Sequence, residues 1–265
     1  MATATFEPRR YRFAAAHYRA GRPDYAPRLI RRVARLTGIL SGSRVLDLGC
    51  GPGLLAVAFA PYAAEVVAMD PEPEMLARVT EQAVPNVTPR QGSSHDVGPE
   101  LGRFRLTTMG RSFHWMDRAD TLRRLDELIE PGGAVALFHT HHLELPENAW
   151  TEEFRALCRR YADDEWRGAR HRRPGWIRHE AMLLQSPFSH LEAAAVVERR
   201  VVPANSLIDR VFSMSSTSPD RLGDRVEALT EEVMAFAGTK AMDGRLTEVV
   251  KSHALIAFRP GEEPA

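Results

Sequence analysis

The sequence predicts an α/β fold: a doubly wound, mostly parallel seven-stranded sheet with N-terminal helices and a cap insertion. Three observations carry this. From Arg44 onward, apolar runs of strand length alternate with segments whose apolar residues recur at helical spacing. The first of these runs, RVLDL, ends in three closely spaced glycines, Gly49, Gly51 and Gly53, and a helical pattern begins at once. After Thr140 the alternation lapses for about fifty residues, more than a simple connection in a compact domain requires.

Taken in order, YRFAAAHYRAGRPDYAPRLIRRVARL reads as two helices broken at Gly21 to Pro23. The second places Leu29, Ile30, Val33 and Leu36 close to helical spacing, with arginines between them. RVLDL is then a strand, LLAVAFA a helix through Leu54, Val57 and Ala58, EVVAMD a strand, and Met75 to Val79 part of a helix. A weaker strand at Val87 to Gln91 and a stronger one at RFRLTTM follow. DRADTLRRLDELIEPGG is the best-defined helix, with Asp117 and Asp120 placed as a capping box and Pro131 with two glycines as its stop. AVALFHT is a buried strand. Beyond the lapse, LEAAAVVERRVV resumes as a strand, two helices run near Leu207 to Met214 and Arg221 to Ala237, and HALIAFRP closes the sheet. The division expected is a helical cover over 1–40, a ligand-binding core over 41–140, a cap over 141–190 and completion of the sheet over 191–265.

The chain has 265 residues, with 35 basic and 35 acidic, so no overall field draws it to nucleic acid or an anionic membrane. Two cysteines, Cys50 and Cys158, are too few for a disulfide framework. Neither a signal-peptide core nor a membrane-length apolar run is visible, and the expected location is the cytoplasm. Lys240 and Lys251 are the only lysines, so arginine clusters carry less weight here than usual.

A strand that ends in glycines allows positive φ and close approach of a ligand to bare backbone. Asp70 ends the next strand, 21 residues after Gly49, where a carboxylate accepts hydrogen bonds from both hydroxyls of a ribose. NAD and S-adenosylmethionine both satisfy this. The dinucleotide fingerprint wants a third small residue at position 54, which is Leu54. VLDLGCGPG, EVVAMDPEPEML and LIEPGGAVALF resemble the cofactor motifs of class I S-adenosylmethionine-dependent methyltransferases. YRAGRPDYAPRLI and SFHWMD are most similar to the small-molecule branch with the methyltransferase type 11 and trans-aconitate methyltransferase-like proteins. The resemblance implies that Asp47, Gly49 and Gly51 face the methionine part of the cofactor. It also implies that Asp70 holds the ribose beside Pro71, with Met75 farther along the helix, and that Ser93, Ser94 and His95 flank adenine. Many relatives carry an acidic residue where this chain has Ser93. Tyr18 and Arg22 match the N-terminal motif and would close over the cofactor's carboxylate.

Methyl transfer from a sulfonium to a small-molecule acceptor depends on alignment, and oxygen is the favoured receiving atom. His114, just past the fourth strand, is the candidate base or acceptor-orienting donor, with Trp115 shaping the pocket and facing the cation. A histidine packed beneath the cap is the plainer reading of His114. His139 and His141 share one face of HTHHLE, where a solvated loop, the lining of the substrate pocket and a metal site are the alternative readings; they are carried as candidate substrate residues and no metal is assigned. Arg172, in WRGARHRRPGWIRH, suits an anionic acceptor, while a solvated arginine-rich loop accounts for it as well. Cys50 reads as a small residue beside the ligand and Cys158 as helix packing. The enzyme is expected to act as a monomer or homodimer without nucleic acid or membrane. The alternatives are a non-catalytic S-adenosylmethionine-binding protein, an enzyme using the same cofactor for cyclisation or rearrangement, and an NAD(P)-dependent oxidoreductase.

Overall fold

All seven strands read from the sequence are present in the computed structural model, which describes residues 11–162 and 175–261. They are β1 (Arg44–Leu48), β2 (Glu65–Asp70), β3 (Val87–Gln91), β4 (Phe104–Gly110), β5 (Ile129–His142), β6 (His190–Pro203) and β7 (Arg245–Phe258), in the order β3-β2-β1-β4-β5-β7-β6. β1 to β5 pair in parallel, and β7 lies antiparallel to both β5 and β6. β1 and β4 are buried along nearly their whole length, as strands covered on both faces must be. β3 is an exposed edge, which is why Pro89 is tolerated within it. The strand order reverses between β1 and β4, so a crevice opens outside their carboxyl ends.

Helices cover both faces. On one, α2 (Pro27–Leu36) and α3 (Leu54–Phe59) bury Leu29, Val33, Leu55 and Phe59 against Phe138 and Ile256. On the other, α5 (Arg118–Leu128) buries Leu122 and Leu125 with Phe104, Phe113 and Phe188. The capping box is realised by half: Asp117 accepts the Asp120 N–H at 3.2 Å, whereas the Asp120 carboxylate turns to Arg123 and Arg124, both at 2.7 Å. Two guanidinium partners outcompete one backbone amide. α4 (Pro73–Glu81) follows β2 and faces the crevice with Met75.

A third apolar cluster lies beyond the sheet. α6 (Ala149–Tyr161) contributes Trp150, Phe154, Leu157 and Cys158. It packs on α8 (Ser206–Phe212), α9 (Pro219–Leu222) and α10 (Val226–Lys240), all from the β6–β7 connection. α7 (His179–Leu184) packs instead with the second face of the sheet through Leu183. So β6 and β7 complete the sheet while the helices between them join α6 in one cap. α1 (Ala15–Gly21) is fastened to that cap: a Cβ on Gly21 would lie 2.1 Å from the Asp209 carbonyl oxygen, and His17 Nδ1 stands 2.7 Å from Asp209 Oδ1. Among the described residues, no helix is long and apolar enough to cross a membrane.

Candidate functional site

The turn after β1 is built from three left-handed glycines, Gly49 (φ 67°), Gly51 (φ 54°) and Gly53 (φ 83°). Gly49 is doubly constrained, since a Cβ there would meet Ser112 Cβ at 2.6 Å while the Ser112 hydroxyl donates to Leu48 O at 2.8 Å. At Gly51 the nearest atom to a Cβ is Met75 Sδ at 4.0 Å, so this face of the turn is open toward the crevice. Two carboxylates hold the turn. Asp47 is buried, accepts the Thr108 hydroxyl on Oδ1 and the Ala56 N–H on Oδ2, both at 2.9 Å, and burial pushes its carboxyl up to about 7. Asp70 accepts the Gly51 N–H at 2.8 Å and the Glu72 N–H at 2.9 Å, and burial pushes it up to about 6. Each Asp70 oxygen retains lone-pair capacity for a further donor.

This arrangement discriminates between ligands. An amide at the start of α3, where a pyrophosphate would dock, is already occupied by the buried Asp47 carboxylate, and a second anion there would face like charge. That one amide is therefore closed to a phosphate oxygen, while Asp70 keeps acceptor capacity suited to the hydroxyls of a nucleoside.

The cavity over the turn is lined by Tyr18, Gly49, Gly51, Asp70, Pro71, Met75, Ser93, Ser94 and His95, so nine of the residues singled out for the cofactor converge, with Tyr11 and Trp115 on its far wall. Asp47 lies behind the loop in a small recess continuous with this cavity through Tyr18, Gly49 and Gly51. The Ser93 side chain is spent locally: its hydroxyl and N–H both bond Asp96 Oδ2 at 2.8 Å. Asp96 therefore caps a turn and is held below its ordinary value chiefly by those Ser93 bonds.

A second cavity of about 570 Å³ adjoins the first, and Tyr11, Tyr18 and Arg111 belong to both walls. His114, His139 and His141 line it, as does Arg22. Arg22, expected over the cofactor's carboxylate, thus stands on the far side of Tyr18, because the close α1–α8 contact at Gly21 turns the next residue toward Ser213, whose carbonyl accepts from Arg22 at 3.3 Å. Trp115, expected to contact the substrate, lines the first cavity. Arg172 lies outside the described residues. Burial, helped by Arg111 and Arg210, lowers the Arg22 pKa while Tyr18 opposes this. Arg111 donates to Pro23 O at 2.8 Å and Thr140 Oγ1 at 3.1 Å. Neither guanidinium has a carboxylate partner among the described residues. Arg210 differs, donating to the buried Glu248 at 2.8 Å, and His142 Nε2 bonds the same oxygen at 2.9 Å. Burial alone would raise Glu248, but His142 and Arg210 hold it down to about 2.

His139 and His141 lie 6.3 Å apart between ring centroids, and His253, opposite His139 in the β5–β7 ladder, lies 5.6 and 5.5 Å from them. Burial and then His253 and Arg111 push His139 down to about 4, so its imidazole is neutral at physiological pH. Among the described residues no group of three ligating side chains is arranged for a metal ion. Cys50 is buried within the loop, where burial raises its thiol well above the ordinary value, and Cys158 packs in the cap and is pushed up to about 12. Neither is an activated nucleophile.

The sequence reading missed Arg111, Tyr11, Arg210, Glu248 and His253. Arg111 immediately follows β4 and precedes SFHWMD, a signal that was available. His253, Arg210 and Glu248 become visible only through strand register and cap packing.

Residues 45–133 match a protein-family model described as a methyltransferase domain. The chain is 27% identical over 236 residues to an uncharacterized methyltransferase of Mycobacterium tuberculosis, covering 86% of this chain and 88% of that one. A trans-aconitate 2-methyltransferase of the same species is 32% identical over 142 residues, 52% of this chain and 49% of that protein. Among solved structures, a SAM-dependent methyltransferase from Thiobacillus denitrificans in complex with S-adenosyl-L-homocysteine superimposes with a TM-score of 0.53 at 16% identity, covering 96% of this chain and all of that one.

Proposed function

This chain belongs to the class I S-adenosylmethionine-dependent methyltransferases, and we propose that within that class it methylates an oxygen of a small anionic acceptor, a polycarboxylate. One observation carries the reading: among the described residues, Arg22 and Arg111 stand without carboxylate partners in the wall of a cavity that adjoins the cofactor site. Half-buried cations without counter-ions are costly, and an anionic ligand offsets that cost. The similarity to a trans-aconitate 2-methyltransferase supports the same class of acceptor.

When bound, S-adenosylmethionine supplies an electrophilic methyl group. Asp70 receives the ribose hydroxyls, the Gly49 to Gly53 turn lets the ligand approach bare backbone, and Asp47 complements positive charge on the methionine arm. Tyr18 and Tyr11 separate the two cavities and set the line along which an acceptor oxygen meets the methyl. Arg22 and Arg111 hold the acceptor's carboxylate groups. A carboxylate oxygen is already ionised at neutral pH and needs no base, so His114 orients the acceptor by hydrogen bonding and the neutral His139 lines the pocket without adding charge. The α6 and α8–α10 cap closes the acceptor side, with Tyr11 and α1 covering both cavities. Zero net charge and two free cysteines support a cytoplasmic enzyme without nucleic acid, acting as monomer or homodimer.

The test is methyl transfer from labelled S-adenosylmethionine to trans-aconitate and related polycarboxylates beside their amides. Carboxylates should give base-labile methyl esters and the amides no product. Arg22→Gln should raise KM for the acceptor by about 10- to 100-fold, the loss of one charge-assisted hydrogen bond, with S-adenosylhomocysteine affinity within about twofold. Transfer to uncharged acceptors alone, or an unchanged KM, contradicts the proposal.

A further inference from the structure

The methyl group has to lie where the two cavities meet, since it leaves one and enters the other. That junction is aromatic. Tyr11 and Tyr18 line both cavities and Trp115 lines the first. The Tyr11 ring meets Tyr18 at 6.3 Å between centroids with planes 78° apart, and meets Trp115 at 5.9 Å with planes 80° apart. Rings joined edge to face make a corner with walls in different planes, the geometry that presents negative ring faces to a cation from more than one side.

The surrounding charges make such a corner consequential. Arg111 belongs to the wall of both cavities and Arg22 to the second. Both oppose a sulfonium and are indifferent to the thioether it becomes. Of the two carboxylates, Asp70 lines the first cavity and Asp47 the recess behind the glycine turn, and neither lines the cavity that holds Arg22. Without a local source of negative potential, the arginines that suit an anionic acceptor would bias the site toward spent cofactor.

We propose that Tyr11, Tyr18 and Trp115 form a sulfonium-selective corner that sets the affinity ratio of S-adenosylmethionine over S-adenosylhomocysteine and so limits inhibition by the product. This rests on the cofactor reading and adds a specificity role for named side chains. Tyr11 belongs to the N-terminal cover, so the cover takes part in telling fresh cofactor from spent.

The experiment is calorimetric titration of the full chain with each of the two ligands, for wild type, Tyr11→Leu, Trp115→Leu and Trp115→Phe. Each leucine variant should weaken S-adenosylmethionine by about tenfold, as a partly desolvated cation–π contact warrants, and S-adenosylhomocysteine by no more than about twofold, with Trp115→Phe keeping most of the wild-type ratio. Equal weakening of both ligands, or an unchanged ratio, overturns the corner and makes the rings plain apolar wall. Should Trp115→Leu fail to fold, Tyr11→Leu decides by the same ratio. Wild type binding neither ligand overturns the cofactor reading, a result distinct from binding both with a ratio the rings do not control.

Discussion

Replacing Asp47 by Asn removes a buried charge and keeps a hydrogen-bonding shape. The Asn oxygen can accept the Ala56 N–H, and its amide can donate to the Thr108 hydroxyl, the two partners now served at 2.9 Å. In the wild type, carrying this carboxyl from an ordinary 3.8 to about 7 corresponds to roughly 4 kcal/mol at about 1.4 kcal/mol per pH unit. The sign follows from proton counts. Between pH 4 and 7 the folded chain holds the Asp47 proton and the unfolded chain has released it, so this group's contribution to stability falls as pH rises through that window. Over the range from pH 5.5 to 8.0 the loss is about 2 kcal/mol. Asp70, at about 6, adds a smaller decline of the same sign, whereas His139, held near 4, titrates in the opposite sense. The comparison is therefore between proteins and not along one curve. Urea denaturation of the ligand-free chain should show Asp47→Asn gaining about 2 kcal/mol on wild type between pH 5.5 and 8.0. Parallel stability profiles would refute the buried-carboxylate account of the turn.

Asp70→Asn places an amide N–H₂ against either the Gly51 or the Glu72 N–H and removes the charge offered to the ribose; S-adenosylhomocysteine affinity should fall by at least about tenfold in calorimetry. Gly21→Ala forces the first cap-facing helix away from the Asp209 backbone, where 2.1 Å is available to a Cβ, and should lower both melting temperature and cofactor affinity. Glu248→Gln leaves Arg210 inside the cap without its counter-charge, a loss of about 3 kcal/mol by urea denaturation, and Arg210→Met in the same chain should recover part of it. His114→Ala should lower kcat for a carboxylate acceptor by less than about a hundredfold and leave cofactor affinity unchanged; full turnover would remove His114 from the reaction.

The cofactor half of the molecule was legible because its determinants are local. Gly49, Gly51 and Asp70 sit at strand ends, and Leu54 together with the lack of a separate catalytic domain argued against a dinucleotide, in line with an Ala56 amide taken by Asp47. The acceptor half resisted. Arg22 reads identically in sequence whichever cavity it faces, and the α1–α8 contact decides. His253 meets His139 only because β7 pairs antiparallel with β5 in one register. The helices between β6 and β7 carry a periodicity that fits a sheet-covering helix as well as a cap, and their partner α6 lies some fifty residues upstream, a separation periodicity does not encode. Arginine is nearly the sole cation here, so only the absence of carboxylate partners among the described residues, a three-dimensional property, distinguishes Arg22 and Arg111 from solvated arginines.

The most direct measurement is calorimetric titration of the purified chain with S-adenosylhomocysteine, S-adenosylmethionine and NADH in parallel. Micromolar binding of the first two, with no heat from NADH, is what an adenosyl-ligand site over the glycine turn requires. Binding of NADH with neither adenosyl ligand bound would contradict it.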